Sequence, residues 1–271
     1  IITGVVLAAL VFPVIVGGMP SIASVTEKVV PWMAVLYVGM AVIVIGANID
    51  QVGAAFSAIF EGAFTGAGVV GGFVGALIQG LKRATFSNEA GVGSAAIAHS
   101  AVKTKEPITE GLVSLLEPFI DTVVICTMTA LVITIAGLNA APFDGAGLTG
   151  VTLTAASFTE TADVFKYLLA LAVILFAFST MISWSYYGLK AWTYLFGEGT
   201  TTELVFKVLF CFFVVVGATI QFGAVIDFSD AAIFAMSIFN IAGLYFLMPV
   251  VKKELNSFIA RVYSGEIKKF K

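Results

Sequence analysis

Apolar residues run through this chain in unbroken stretches separated by brief polar punctuation, and they do not alternate with polar ones. At a rise of about 1.5 Å per residue, about 20 residues cross a hydrocarbon core of roughly 30 Å, so each stretch reads as a membrane-spanning helix. Strands of a membrane barrel would alternate apolar and polar positions. Seven stretches qualify: 1–18, 30–49, 66–102, 110–137, 164–190, 203–222 and 229–251. The pattern predicts an all-α, polytopic membrane protein with a transmembrane domain over 1–251 and a basic, cytoplasmic tail over 252–271. The third stretch is too long for one simple span and is interrupted in its middle.

Composition strengthens this reading. Hydrophobic residues make up 59% and charged residues 11% of the chain, whereas a soluble domain is about 25% charged. Lipid is therefore the main solvent. A net charge of −3 without a basic stripe argues against nucleic acid as a partner. Cys126 and Cys211 both lie inside apolar runs, where a thiol behaves as a small hydrophobe. The start at Ile1 lacks a positive n-region and a small-residue cleavage site, so it reads as a fragment or a processed start, not a signal peptide.

Charge also predicts orientation. If the second span runs outward, Lys28, Lys103, Lys105, Lys190, Lys207 and the tail residues Lys252, Lys253, Arg261, Lys268, Lys269 and Lys271 are cytoplasmic, and only Lys166 flanks an outer end. Lys82 and Arg83 stay unassigned. The segment 138–163, rich in Gly, Thr and Ala, falls outside as a lid or an ordinary surface loop. The lysine-rich tail reads as attraction to the anionic lipid of the inner leaflet.

The interrupted span contains GLKRATFSNEAGVGSAAIAHS, residues 80–100, with Ser87, Asn88 and Glu89 set between Gly80 and the pair Gly91 and Gly93. A carboxylate near mid-membrane costs at least ~2.5 kcal/mol, so Glu89 should face protein or a water-filled cavity. A helix broken here would aim free N–H groups at an anion and leave carbonyls, with Asn88 and Ser87, for a cation. That pairing suits an amino acid and a sodium ion. The plainer alternative is a surface loop in which Glu89 pairs with Lys82 or Arg83.

Elsewhere, Thr180, Ser183, Trp184 and Tyr187 share a helical face with Ser179 beside them, either closing over a small ligand or packing helices together. Glu110, Ser114, Glu117 and Asp121 share another face, which suits an inner exit path or proton relay, or a set of ordinary interhelical bonds. His99, the single histidine, has no second ligand at metal-binding spacing and reads as structural. No nucleophile elbow or dinucleotide fingerprint occurs, so the chain does not read as an enzyme and no cofactor is implied.

The block GLKRATFSNEAGVGSAAIAHSAVKTKEPITEGLVSLLEPFIDTVVICTMTALVITIAG, residues 80–137, resembles the alanine or glycine:cation symporters, the sodium:alanine symporter family. FSNEAGVGSA followed by FIDTVVICTMTAL is distinctive, and the likeness continues through AVLYVGMAVIVI upstream and FAFSTMISWSYYG downstream. The resemblance implies a LeuT-like inverted-repeat fold of the APC superfamily and sodium-coupled uptake of small neutral amino acids at the plasma membrane. By that analogy the helix broken at Phe86–Gly91 is the sixth of the core. Substrate contacts fall on Phe86, Ser87, Asn88, Ala90, Gly91, Thr180 and Trp184. Cation binding or coupling falls, on weaker analogy, on Glu89, Ser179 and Ser183. The helices that should precede residue 1 are absent from the sequence. A proton-coupled amino-acid carrier, and a non-transporting helical scaffold or truncated fragment, remain the rival expectations, and oligomeric state stays open.

Overall fold

The structure, a computed structural model, describes residues 1–64, 72–139, 148, 150–220 and 222–267. Every regular element among them is helical: α1 (Ile2–Val16), α2 (Gly18–Ala47), a 3-10 turn and α3 (Val52–Phe64), α4 (Gly72–Asn88), α5 (Ser94–His99), α6 (Pro107–Ser114), α7 (Leu116–Pro118), a π-helical segment Phe119–Cys126, α8 (Thr127–Asn139), α9 (Val151–Thr159), α10 (Phe165–Phe196), α11 (Thr200–Gly217) and α12 (Phe222–Ser264). Five helical stretches among the described residues are long and apolar enough to cross a membrane: Gly18–Ala47, Pro107–Gly137, Phe165–Phe196, Thr200–Gly217 and Gly223–Ser264. The protein is thus a polytopic, multi-pass membrane protein.

Several boundaries differ from the pattern. Residues 19–29, which fall between two expected spans, are helical within α2, where the Thr26 hydroxyl is satisfied by the carbonyls of Ile22 and Ala23 inside the helix. The 13-residue α3 had no counterpart in the expected spans. α12 continues past 252 through KKELNSFIARV, which holds Lys, Glu, Leu, Ala and Arg and neither Gly nor Pro, so the first part of the expected tail is the end of a helix 43 residues long. The start of the third span (66–71), most of the lid segment (140–147 and 149) and Lys268, Lys269 and Lys271 lie outside the described residues.

The chain divides into two compact units, Ile1–Gln79 with Val124–Phe222, and Gly80–Val123 with Gly223–Lys271. In the first unit, Met40, Ala41 and Val44 of α2 pack with Val132 of α8, Phe158 of α9, and Phe165, Leu169 and Ala172 of α10. Tyr37 sits at the edge of this cluster, bonded to Thr129 and in ring contact with Phe158 and Phe176. A second cluster joins Val11 and Ile15 of α1 to Ile22 and Ile182. The opposite faces carry exposed Trp32, Phe212 and Phe213, the surface expected of helices solvated by lipid.

α1 and α11 meet where Gly4 leaves room. A Cβ at Gly4 would lie 2.8 Å from Ala218 Cβ and 3.0 Å from Val215 Cα, so the helices touch backbone to backbone. Gly4→Leu should therefore separate them, at about 1–3 kcal/mol for overpacking. Thermal unfolding of the protein in detergent should show a midpoint lowered by several degrees. An unchanged midpoint would mean that this approach contributes little.

Candidate functional site at the broken helix

Helical geometry fails within five residues of the second unit. Glu89 has φ of 55°, Gly91 of 79° and Gly93 of 105°, while Ala90 and Val92 between them keep the ordinary sign. Left-handed φ is open to glycine and strained for glutamate. The break therefore runs from Glu89 to Gly93, later than the expected 86–91; Phe86, Ser87 and Asn88 still belong to α4. The glycines decide this, since only they relieve the chain of right-handed φ at low cost.

The loose backbone is held by side chains. The Asn88 carboxamide accepts from Ala90 N–H at 2.9 Å and donates to Thr122 Oγ1 at 2.9 Å. Ser87 Oγ donates to Asp121 Oδ1 at 2.8 Å. Both partners lie on the π-helical segment, which follows Pro118; proline has no N–H to return to the carbonyl four residues back, and the helix resumes with wider turns. Ser94, at the start of α5, is fully buried and its hydroxyl has no hydrogen-bond partner among the described residues.

α12 grips the same stretch at three places. Arg83 forms an ion pair with Asp230, Asn240 Nδ2 donates to Gly91 O at 2.9 Å, and Arg261 donates through both terminal nitrogens to the two carboxylate oxygens of Glu106 at 2.7 and 2.6 Å. The hydrogen bonds from Arg261 hold the Glu106 carboxyl below its ordinary pKa. Arg83 also lies over the Phe86 ring, 5.7 Å from its centre. Arg83, which with Lys82 is a partner expected for Glu89 in the surface-loop alternative, is bonded to Asp230 of α12.

A cavity of about 460 Å³ opens beside the break, lined by Asn88, Glu89, Gly91, Ser114, Glu117 and Asn240, among others. His99 shares its wall and holds Glu110 Oε1 with Nδ1 at 2.6 Å and Glu117 Oε2 with Nε2 at 3.2 Å. Asn88, Glu89, Ala90 and Gly91, four of the expected site residues, border this one space; Phe86 and Ser87 occupy the α4 turn leading into it. Asn240 was missed by sequence reading, although an amide inside an apolar run is itself a signal.

The remaining expected residues sit on α10, in the first unit. Ser179 is buried, donating to Phe176 O at 3.0 Å and lying 3.6 Å from Met33 Sδ. Thr180 is exposed, Ser183 and Trp184 are half-buried, and Trp184 meets Tyr187 edge to face at 5.6 Å. Ser185, not singled out by sequence, is the more deeply buried hydroxyl, bonded to Ile182 O.

The sodium:alanine symporter family matches residues 1–271. The chain is 41% identical over 259 residues to the sodium/alanine symporter AgcS of Methanococcus maripaludis, covering 95% of this chain and 56% of that protein. It is 33% identical to the "Probable sodium/glutamine symporter GlnT" of Bacillus subtilis, covering 97% of this chain and 54% of that one. The amino-acid carrier protein AlsT of Bacillus subtilis is 30% identical, with 93% and 53% covered. The chain thus spans about half the length of these curated relatives, all of them named as transporters and none as an enzyme. With the family matched across residues 1–271 and 41% identity to AgcS, the chain belongs to the sodium:alanine symporter family.

Proposed function

We propose that this chain is part of a sodium-coupled symporter that imports small neutral amino acids, alanine and glycine, across the plasma membrane by alternating access. The observation that carries the reading is the unwound turn Glu89–Gly93 beside the cavity, followed directly in the chain by the buried Ser94 hydroxyl, which has no hydrogen-bond partner among the described residues. A buried polar group without a partner is costly and calls for one. The substrate carboxylate takes N–H groups of the turn, and sodium takes carbonyl and side-chain oxygens around Ser87, Asn88 and Glu89. Phe86 limits the length of the substrate side chain. The resemblance to the family adds Thr180 and Trp184 as substrate contacts and Ser179 and Ser183 as cation ligands, with a LeuT-like fold of inverted repeats and seven spans in this part of the carrier. The C-terminal end is cytoplasmic, as the lysines near it favour.

The names of AgcS, for alanine, and GlnT, for glutamine, support a neutral amino acid as the substrate. Binding sodium stabilises the loaded state, so the ion gradient drives uptake. The test is uptake of radiolabelled alanine into proteoliposomes holding the full-length carrier. An inward sodium gradient is expected to raise the initial rate at least ~10-fold over a choline control. Equal rates in sodium and choline would overturn the reading.

A further inference from the structure

We infer that His99, held between Glu110 and Glu117, is a proton-binding site in the wall of the cavity beside the broken helix. The geometry demands a proton. Each ring nitrogen lies within hydrogen-bond distance of a different carboxylate oxygen, at 2.6 and 3.2 Å. A neutral imidazole carries one N–H and one lone pair, so it can donate to only one of the two. Both contacts are made together when the ring is doubly protonated, or when one carboxyl carries the proton and donates it.

The surroundings support such a site. From α6 the ring faces Glu110, and from α7 it faces Glu117. Across the cavity stand Glu89 of the turn and the uncharged Asn240 and Leu244 of α12. Arg261 is occupied by Glu106. The bound proton thus offsets two carboxylates that would otherwise face each other across the ring. When it leaves to the cavity water, the ring retains one N–H, a lone pair meets a carboxylate, and one contact opens. His99 is the last residue of α5, the half-helix that follows the break, so proton occupancy ties α5 to α6 and α7. Because Glu117 and His99 share the cavity with Asn88 and Gly91, occupancy of that cavity and of the proton site are linked, and linkage is reciprocal.

The transport part of this inference rests on the symporter reading; the proton site does not. Two measurements on the full-length carrier separate them. In the first, the imidazole ¹⁵N resonances of His99, assigned by their loss in His99→Gln, are followed from about pH 5.5 to about 8.5. The doubly protonated ring should persist to higher pH than a free histidine, and Glu110→Gln should move its midpoint down by about one unit, tenfold in proton affinity. A ring that titrates like free histidine in both proteins overturns the site. In the second, sodium-driven alanine uptake is measured over the same range. The apparent alanine affinity should vary with pH, by up to about tenfold per unit for one linked proton, and this slope should flatten in both His99→Gln and Glu110→Gln. Sodium-dependent uptake with one pH profile in all three proteins overturns the linkage. Sodium-independent uptake in the wild type removes the symporter reading, while the resonance titration still decides the proton site.

Discussion

Gly93→Val is expected to abolish sodium-driven uptake in a carrier that still folds and inserts. Two costs fall on the same residue. With φ at 105°, any L side chain is strained there, at about 1–3 kcal/mol. A Cβ would also lie 3.2 Å from both Cγ and Oδ1 of Asn240, the side chain whose Nδ2 holds Gly91 O. Valine adds two branches beyond that atom, so Asn240 must swing away and release the turn. The combined loss corresponds to at least ~100-fold in initial rate if the turn is the site. Gly93→Ala should fall between, and Asn240→Ala in the same protein should recover the steric part of the loss but not the dihedral part. Uptake close to wild type in Gly93→Val, at matched protein levels, would show that the turn does not need its observed geometry.

The second large effect is expected at Asn88. Asn88→Ala removes an acceptor from Ala90 N–H and a donor from Thr122 at once. Each bond contributes about 0.5–1.5 kcal/mol net, so about 1–3 kcal/mol of restraint on the turn is lost, or roughly 10–100-fold in kcat/KM for alanine. Asn88→Asp separates the two roles, since a carboxylate still accepts from Ala90 but cannot donate to Thr122. It also sets a new negative charge beside Glu89 and near Asp121, so it should be no better than alanine if the Thr122 bond dominates. A double-mutant cycle with Thr122→Val should show coupling above about 0.5 kcal/mol. Strict additivity would mean that the bond from α4 to the π-helical segment carries no function.

The helical class and the position of the interrupted span were legible in the sequence because lipid imposes a length and a composition on each span. The seat of the break was legible to within two or three residues, from the clustering of Ser87, Asn88 and Glu89 with two glycines. Its end at Gly93 was not, because the choice between Gly91 and Gly93 depends on Asn240, about 150 residues away in the chain. The same holds for Arg83, whose partner Asp230 cannot be deduced from local spacing. His99 was read as structural because it has no neighbour at metal-binding spacing. Its two carboxylates reach it because α6 and α7 fold back beside α5, which no periodicity within one helix reveals. In α2, the polar residues of 19–29 set that stretch between two spans, whereas a threonine hydroxyl can be satisfied within its own helix.

The three grips of α12 have a mechanical consequence. Asp230, Asn240 and Arg261 lie on one helix and hold Arg83, Gly91 and Glu106 in the same order along the chain, so α12 acts as a splint laid parallel to the broken segment. At about 1.5 Å per residue the helix is about 65 Å long, twice the thickness of a bilayer core. A displacement of the turn that moved α12 as a rigid rod would reach Glu106 through Arg261, 21 residues beyond Asn240 on the same helix. Pro249, between the second and third grips, lacks the N–H that would stiffen α12 there, and bending of the splint concentrates at that residue.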